Sequence, residues 1–598
     1  MAIQLQRHLN RFSKFYFGGD PAIPQALFTC KPEPCGALPG LPLPSRRGDY
    51  TCRAATRDGV VWFGAKTGLT RYDPNAPSKE DRVMYFSATR ELPSNEVLAL
   101  LPVQPEDEAV YEALWVRTKK GVALLTMRWM TAEEKANHLL AECLLAVDRR
   151  GMVSHRALMF PRDTASKVSY NSSDNDGCFG CAFTIAELLH YGVLRRELGL
   201  DHPETQRVKA IAARAAEAML LLTYIPGRGD GFVARTYHAP HEPVPYEGFF
   251  FRKRGDGTAE VLPTKSALER GVAGQIVDAS TPVPERLARL YKNEGIGDEG
   301  LIYKGDTSSD EITLHFAHFY YLHLTLAQDD PELAALNAQA CKNVMGHILD
   351  HGNEMHDVFG ATLWAKWSEE YFQEGLGWID ACLNAIELLM YLRVTMEVTG
   401  EKGRWQAAYD ELVAKGYAAL GTQHAKRFEV MARRENVCLS EAIMFGDHML
   451  ANAAFWPLIL LEPDEQLRKT YQEGLRSWRG SMARENNPGY DIPYMLTCLD
   501  SRPGGEIDME RFERWFYRSP TSRLTTPVTL ESRADVPVHS DLNDYKETGW
   551  RLPDDERFIA KYNRSPWMYT ERGSDCMMDS CYPYTFPYWM GRYYGILA

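Results

Sequence analysis

The stretch MTAEEKANHLLAECLLAVDRR, residues 130–150, marks the point at which the chain changes from strand-like to helical sequence. Thr131, followed by Glu134 three residues later, forms the pattern of a helix-capping box. Apolar residues after it recur at helical spacing rather than in strict alternation. We therefore expect the helical part of the chain to begin at about residue 131.

More stretches of helical periodicity follow, mostly in pairs joined by short polar turns. They cover residues 178–199, 203–224, 309–328, 331–350, 371–398, 402–421, 440–461, 464–484 and 508–517. Antiparallel helix pairs in this number predict a mainly α fold, a helical toroid of the (α/α)6 type. An irregular superhelix of helix pairs is the alternative, but no strict repeat of about 34 or 40 residues supports it.

The sequence before residue 131 is rich in Pro, Gly and β-forming residues, and it contains a repeat. VVWFGAKTGLTRYD (60–73) aligns with ALWVRTKKGVALL (113–125), which places Trp62 on Trp115. Each copy has the pattern of a strand, a tight turn at Lys-x-Gly and a second strand, so each predicts a β-hairpin.

These patterns predict three regions. Residues 1–130 form a small β-rich domain with two hairpin repeats, 131–500 a toroidal catalytic domain, and 501–598 a long irregular, aromatic-rich segment packed on the toroid. Long inserts at 225–305 and 500–598 are expected to cover one mouth of the ring, since loops of that length are usually functional.

Composition excludes some partners. The 598 residues include 67 Lys and Arg against 80 Asp and Glu, a net charge of −13, which argues against nucleic acid as a partner. No apolar run of about 18 residues predicts a membrane span, and the start lacks the apolar run of a secretory signal, so we expect a cytoplasmic protein. The β-rich domain is a candidate interface for a homo-oligomer.

Cys178 and Cys181 form a C-x-x-C without a second pair at zinc-site spacing, so neither zinc nor redox chemistry is predicted there.

A first polar cluster lies in SYNSSDNDGCFGCAF (169–183), directly before a helix. A single acidic residue is enough to cap a helix and to complement its dipole. The surplus predicts a site in which Asp174 and Asp176 are catalytic carboxylates and Asn171 and Asn175 bind substrate.

A second cluster lies in GDTSSDEITLHFAHFYYLHL (305–324). Asp310 and Glu311 fall in the first turn of the predicted helix, where they would also complement its dipole. Glu311, His315 and His318 are spaced i, i+4 and i+7 and so share one helix face. We predict catalytic roles among Asp310, Glu311 and His315. A metal held by Glu311, His315 and His318 is a weaker alternative because no further ligand is evident, and no cofactor is predicted.

The third cluster is the C-terminal run CYPYTFPYWMGRYYGILA (581–598). It is either a tail that seals the core or a sugar platform. In the second case Trp589 or Tyr593 stacks on a pyranose ring and Arg592 reaches a hydroxyl or carboxylate.

Smaller candidates complete the set. Arg235 lies in a Gly-rich loop, and Trp364 with Trp367 forms a candidate substrate wall. Asp447 and His448 are expected in mid-helix. They could form a buried hydrogen-bonded pair or belong to a functional site, and the sequence favours neither.

The segment WFGAKTGLTRYD (62–73) resembles the propeller repeat of bacterial two-component regulator sensors, whose blades carry W-x-G-x-x-x-G-L-x-R-Y-D. Two copies are fewer than the four or so blades of a closed propeller, so we expect a small β-domain built from this motif.

The runs DNDG (174–177), GDTSSDE (305–311) and YWMGRY (588–593) resemble a family of bacterial proteins in which a propeller-repeat fragment precedes a helical toroid. This resemblance implies a fold related to toroidal glycoside hydrolases and polysaccharide lyases, and it assigns no role to any single residue. The matching positions are Asp174, Asn175, Asp176, Asp306, Asp310, Glu311, His315, Arg592 and Tyr593.

Our leading hypothesis is a glycoside hydrolase. One carboxylate from Asp174 or Asp176 and one from Asp310 or Glu311 would act as general acid and general base.

The alternative is a lyase that removes the C5 proton of a uronic acid, and a third hypothesis is a sugar-binding protein without catalysis. The residues considered for the lyase are the bases His315, Tyr320, Tyr321 and Tyr593, and the uronate-neutralising residues Arg235, Arg592, Asn171 and Asn175.

Overall fold

A computed structural model of the chain shows a mainly α protein with several small sheets, as the sequence predicts. It describes residues 2–166, 174–373, 375–435, 445–527, 533–536, 538–542, 545–548, 552–557, 568–569 and 574–598. The α-helices are α1 (Ala26–Thr29), α2 (Lys79–Arg82), α3 (Ala132–Ala146), α4 (Asp176–Glu197), α5 (Pro203–Tyr224), α6 (Lys265–Glu269), α7 (Glu285–Lys292), α8 (Ser309–Leu324), α9 (Pro331–Asp350), α10 (Glu369–Gln373), α11 (Gly377–Thr399), α12 (Gly403–Ala414), α13 (Tyr417–Leu420), α14 (His424–Glu435), α15 (Phe445–Leu461), α16 (Glu465–Met482), α17 (Pro488–Cys498), α18 (Met509–Arg518) and α19 (Tyr582–Tyr593).

The strands form short antiparallel sheets. They are β1 (His8–Tyr16), β2 (Tyr50–Ala55), β3 (Val61–Ala65), β4 (Gly68–Tyr72), β5 (Val83–Phe86), β6 (Val97–Val103), β7 (Val110–Thr118), β8 (Gly121–Met130), β9 (His155–Ala157), β10 (Tyr237–His238), β11 (Phe250–Lys253), β12 (Thr258–Val261), β13 (Ile276–Asp278), β14 (Ile302–Lys304), β15 (Glu354–Asp357), β16 (Gly360–Lys366), β17 (Leu524–Thr525), β18 (Val538–Leu542), β19 (Tyr545–Thr548), β20 (Met568–Tyr569) and β21 (Ser574–Asp579).

The N-terminal region contains two four-stranded sheets, in the orders β2-β3-β4-β5 and β1-β8-β7-β6. Antiparallel hairpins lie at both repeat positions, β3–β4 and β7–β8. A buried ion pair links the two sheets, because Arg71 donates to Glu112 at 2.6 Å and Trp62 donates to the same carboxylate at 3.0 Å. Gly68 has a φ of +128°, and a side chain there would overlap the ring of Tyr85, so this turn requires glycine.

Six helices, which we call the inner helices, contact one another in a closed cycle. The cycle runs α4, α8, α11, α15, α17, α19 and back to α4. The outer helices α3, α5, α9, α12, α16 and α18 alternate with them along the chain. Contacts join α5 to α4, α9 to α8, α12 to α11, α16 to α15 and α3 to α19, and Trp515 of α18 stacks on Tyr584 of α19. The helices therefore form two layers.

The burial pattern explains which helices lie inside. Most residues of α4, α8 and α11 are buried, on every face of each helix, and an apolar helix of this kind needs protein on all sides. The outer helices α5, α9 and α12 bury one face and expose the other. Helix α4 is long and apolar enough to span a membrane. However, 94% of its most apolar 18-residue stretch is buried inside the protein, as expected of a core helix.

The connections between helices are unequal at the two ends of the ring. Those from an inner helix to the next outer helix are short, at 198–202, 325–330, 400–402, 462–464 and 499–508. Most of those from an outer to the next inner helix are long, at 147–175, 225–308, 351–376, 415–444 and 519–581. We call the end at which the inner helices begin the mouth. Its long connections carry the sheet β10-β14-β11-β12-β13 and the hairpin β15–β16.

The C-terminal prediction needs correction. We expected an irregular segment at 501–598 apart from a helix at 508–517. That helix is present as α18, but α19, which was not predicted, also lies there and completes the inner cycle. Proline disfavours a helix interior, and α17 contains Pro493 and α19 contains Pro587 beyond their first turns. Dense aromatic packing around α19 outweighs the cost that proline usually imposes on an isolated helix.

Candidate active site

Asp310 lies in the first turn of α8, at the mouth, and two neighbours hold its carboxylate. The amide of Asn175, from the start of α4, donates to Oδ2, and the hydroxyl of Ser308 donates to Oδ1. The two polar clusters predicted at 169–183 and 305–324 therefore meet at this residue. Asp310 keeps part of its surface exposed and can contact a bound molecule.

Further carboxyl groups surround Asp310, from α11 and α15. Burial and the charges of Asp380 and Asp310 raise the pKa of Asp447 to about 7. Burial, together with the charges of Asp447 and Asp310, raises the pKa of Glu387 to about 8. Burial also raises the pKa of Asp380, which accepts a hydrogen bond from Tyr371 at 2.5 Å. Carboxyl groups in such surroundings hold protons near neutral pH, as a general acid must.

Sequence reasoning missed most of this second group. Asp447 was expected in mid-helix but lies in the first turn of α15. Asp380 and Glu387 were not singled out, although they are seven residues apart on one helix and so share a face, the same spacing that drew attention to α8. Two acidic residues at this spacing in an otherwise apolar helix are the sequence pattern by which they could have been selected.

Glu311 is completely buried beside Asp310. Burial, followed by the charge of Asp310, raises its pKa well above the ordinary value. Any side chain at Gly177 of α4 would overlap the Glu311 carboxylate, so the glycine allows α4 and α8 to approach here. Because it is enclosed, Glu311 cannot contact substrate directly, which corrects its predicted catalytic role.

Two basic residues lie at one side of the mouth. Lys304 contacts Asp174, and its Nζ lies 3.7 Å from Asp306. Arg235 donates to the carbonyl oxygen of Asp174 at 2.8 Å, and its Nε lies 3.9 Å from Asp306. Asp174 itself is 67% exposed at its side chain, so it is a rim residue rather than a member of the Asp310 group.

Asp176 is the clearest correction. Its carboxylate accepts hydrogen bonds from Arg149 at 3.0 Å and from Thr236 at 2.8 Å, and it is buried. It ties the start of α4 to the loop before it and to the 225–308 connection, so its role is structural. Asn171 lies outside the residues that the structure describes.

The histidine stripe of α8 is also structural. His315 directs Nδ1 at the carbonyl of Glu311, 2.7 Å away, and its Nε2 lies 3.3 Å from the carbonyl of Met219. Burial lowers its pKa to about 4 and also lowers the pKa of His318 well below the ordinary value. Within the described ranges no three His, Cys, Asp or Glu side chains form a metal-binding group, so the Glu311, His315 and His318 alternative fails.

The two predicted wall tryptophans separate. Trp367 is fully buried and donates its Nε1 hydrogen to Glu387 at 2.9 Å, which makes it a support for the acidic group and corrects its predicted contact with substrate. Trp364 is 49% exposed on β16. Trp378, which sequence reasoning did not select, is 38% exposed at the start of α11, with the guanidinium of Arg427 4.7 Å from its ring.

The C-terminal sugar platform is not present. Trp589 is buried and stacks on His190 at 3.7 Å, and Arg592 pairs with Glu133 and Glu197. His190 lies about 20 Å along α4 from its start, and Glu197 lies at the end opposite the mouth, about 30 Å away. The alternative of a core-sealing tail describes this segment, including Tyr593, whose carbonyl accepts from Arg196.

Comparisons with known proteins find likeness in structure alone. No protein-family model matches the chain, and no curated protein does. A Bacteroides ovatus GH9 structure is 9% identical, covers 90% of this chain and 96% of its own, and has a TM-score of 0.32. A single mutant of a thermostable endoglucanase from Alicyclobacillus acidocaldarius is 12% identical, covers 91% and 98%, and has a TM-score of 0.29. Scores this low carry no weight, so a function must rest on the site itself.

Proposed function

We propose that the chain is an (α/α)6 toroid whose mouth hydrolyses a glycosidic bond. The observation that carries this proposal is the carboxyl group set at the mouth, in which Asp310 is held by two donors while Asp447 and Glu387 have raised pKa values. Two carboxyl groups with different protonation are what glycoside hydrolysis requires. The N-terminal β-rich region, residues 1–130, would be a separate accessory domain.

Asp447 is the proposed general acid. Its pKa of about 7 lets it hold a proton at neutral pH, and it keeps part of its surface exposed, whereas Glu387 is enclosed. In the proposed reaction the Asp447 carboxyl gives its proton to the glycosidic oxygen as the bond to the anomeric carbon breaks.

Asp310 is the proposed general base. It would accept a proton from the water that attacks the anomeric carbon, so the proton given up by Asp447 is balanced by the one gained at Asp310. Asn175 and Ser308 fix the direction of its carboxylate. Burial and the charges of Asp380 and Asp310 would keep the proton on Asp447.

The exposed tryptophans support a sugar as the ligand. Trp364 lies on the connection that precedes α11 and Trp378 in the first turn of α11, and both expose ring surface. A flat aromatic ring suits the apolar face of a pyranose.

The residues considered as the general base of a lyase are not placed to contact substrate at the mouth. His315, Tyr320 and Tyr321 are buried within α8, and Tyr593 lies at the end opposite the mouth. Arg235 remains near the mouth, where it donates to the carbonyl of Asp174, while its buried Nε has no hydrogen-bond partner among the described residues.

The test is incubation of the purified protein with neutral oligosaccharides, uronic-acid oligosaccharides and aryl glycosides. New reducing ends and the ultraviolet absorbance of unsaturated uronates are followed together. Reducing ends without that absorbance support the hydrolase. Reducing ends together with the absorbance would replace it with the lyase, and binding without turnover would replace it with a sugar-binding protein.

A further inference from the structure

A second cavity lies away from the inner helices, between the N-terminal β-rich region and the helical layer. It is a cleft of about 520 Å³, a volume typical of small-molecule sites. Strand β1 and the residue after it form one wall and α3 the facing wall. The segments 89–93, 161–164 and 520–526 close the remainder, with Asp555 and Asp575. None of the Asp310 group lines it.

We propose that this cleft binds a neutral saccharide. The inference concerns a site separate from the mouth and does not depend on turnover there.

One wall of the cleft is aromatic. Phe17 is 63% exposed, and its ring lies edge-on to that of Phe15 with centroids 6.4 Å apart. Phe12 continues the wall and lies edge-on to His138 of α3. A single exposed ring is ordinary on a protein surface, but three rings along one wall of a cleft offer apolar faces on which a sugar ring can stack.

The facing wall supplies polar groups. Glu142 of α3 lines the cleft, and in the described part of the chain its Oε2 is enclosed and lacks a hydrogen-bond partner. Burial raises the pKa of Glu142 to about 7, so it can donate as well as accept near neutral pH. β1 is the edge strand of its sheet, so alternate backbone groups along it are not paired with another strand. Hydroxyl groups of a sugar can satisfy such donors and acceptors.

The charges in the cleft argue against an anionic ligand. Arg162 already donates to the carbonyls of Thr89 and Arg90, at 3.0 and 2.8 Å. Arg90 donates to the carbonyl of Asp555 at 2.6 Å, and Arg11 pairs with the Asp555 carboxylate at 2.8 Å. Most of these guanidinium donors are engaged within the protein, although Nε of Arg11 is enclosed without a hydrogen-bond partner in the described part of the chain, so a phosphate or carboxylate would find few donors free.

The experiment is saturation-transfer NMR with glucose, galactose, xylose, cellobiose and maltose, followed by titration of any sugar that binds. Phe17→Ala and Glu142→Ala test the two walls, and Phe28→Ala is the matched control because Phe28 is an exposed ring of the same region outside the cleft. Asp310→Asn, at the mouth, separates the two sites. Circular dichroism checks that each variant is folded.

We expect wild type, Phe28→Ala and Asp310→Asn to bind the same sugar with similar affinity. Phe17→Ala and Glu142→Ala should each weaken that binding by about tenfold. The proposal is overturned if no sugar of the panel binds, if both cleft variants bind like wild type, or if Asp310→Asn alone abolishes binding. If the mouth does not hydrolyse any glycoside, sugar binding in the cleft and its loss in the two cleft variants would still be expected.

Discussion

The substitution Asp447→Asn should raise the free energy of unfolding at alkaline pH, and the size of the effect follows from the site. Burial, with the charges of Asp380 and Asp310, raises the pKa of Asp447 from an ordinary 3.8 to about 7. That rise corresponds to at most about 4 kcal/mol, since part of the residue contacts solvent, which screens charges. Asparagine has nearly the same shape and carries no charge.

The sign of the pH dependence is fixed by which state holds the proton. Between about pH 4 and pH 7 the folded protein keeps the Asp447 proton while the unfolded chain has lost it, so this residue makes stability fall as pH rises. Above about pH 7 the full cost is present. The Asp447→Asn substitution would remove that cost, because an amide does not titrate.

Urea unfolding of wild type and Asp447→Asn at pH 5 and pH 8 measures the effect, with the exposed Asp201→Asn as control. The advantage of Asp447→Asn should be about 2 to 3 kcal/mol larger at pH 8 than at pH 5. An equal difference at both pH values, or the same change in Asp201→Asn, would refute the reasoning. No substrate is needed for this test.

Three other outcomes follow from single contacts. Gly177→Ala should lower the free energy of unfolding by about 2 kcal/mol because its side chain overlaps the Glu311 carboxylate, whereas Gly346→Ala, in an open position of α9, should be neutral or raise it by about 0.5 kcal/mol; urea unfolding compares the pair. Trp367→Phe should cost about 2 kcal/mol, because the buried carboxyl of Glu387 loses its donor, while a residue that only contacted sugar would change KM instead. EDTA should leave any hydrolytic rate unchanged, and a loss restored by a divalent metal would contradict the assignment of the mouth.

Local patterns predicted the elements well where apolar periodicity was strong. The predicted helix at 203–224 coincides with α5 and that at 331–350 with α9, and the capping box of Thr131 and Glu134 is present at the start of α3. Both patterns depend on residues within one or two helical turns, which the sequence displays directly. The helices α17 and α19 were missed because proline is unfavourable locally and only packing around them offsets it.

The site was predicted in part for the same reason. Asp310 and Asn175 were selected because polar residues crowd before two helices, and the structure brings those two helix starts together. An acidic residue at a helix start can be open to the mouth or can pair with a buried arginine. Which of the two occurs depends on chain segments far away in sequence. Asp176, whose partner Arg149 comes from the preceding connection, shows that neighbouring acids can have opposite fates.

The central claim is that Asp310 and Asp447 together hydrolyse a glycosidic bond. The most direct measurement is the initial rate of reducing-end release by wild type, Asp310→Asn and Asp447→Asn on the neutral glycoside that wild type cleaves fastest. We predict hydrolysis by wild type and a loss of at least about 100-fold in each folded variant. Wild-type rates in both variants, or no hydrolysis of any glycoside by wild type, would contradict the account.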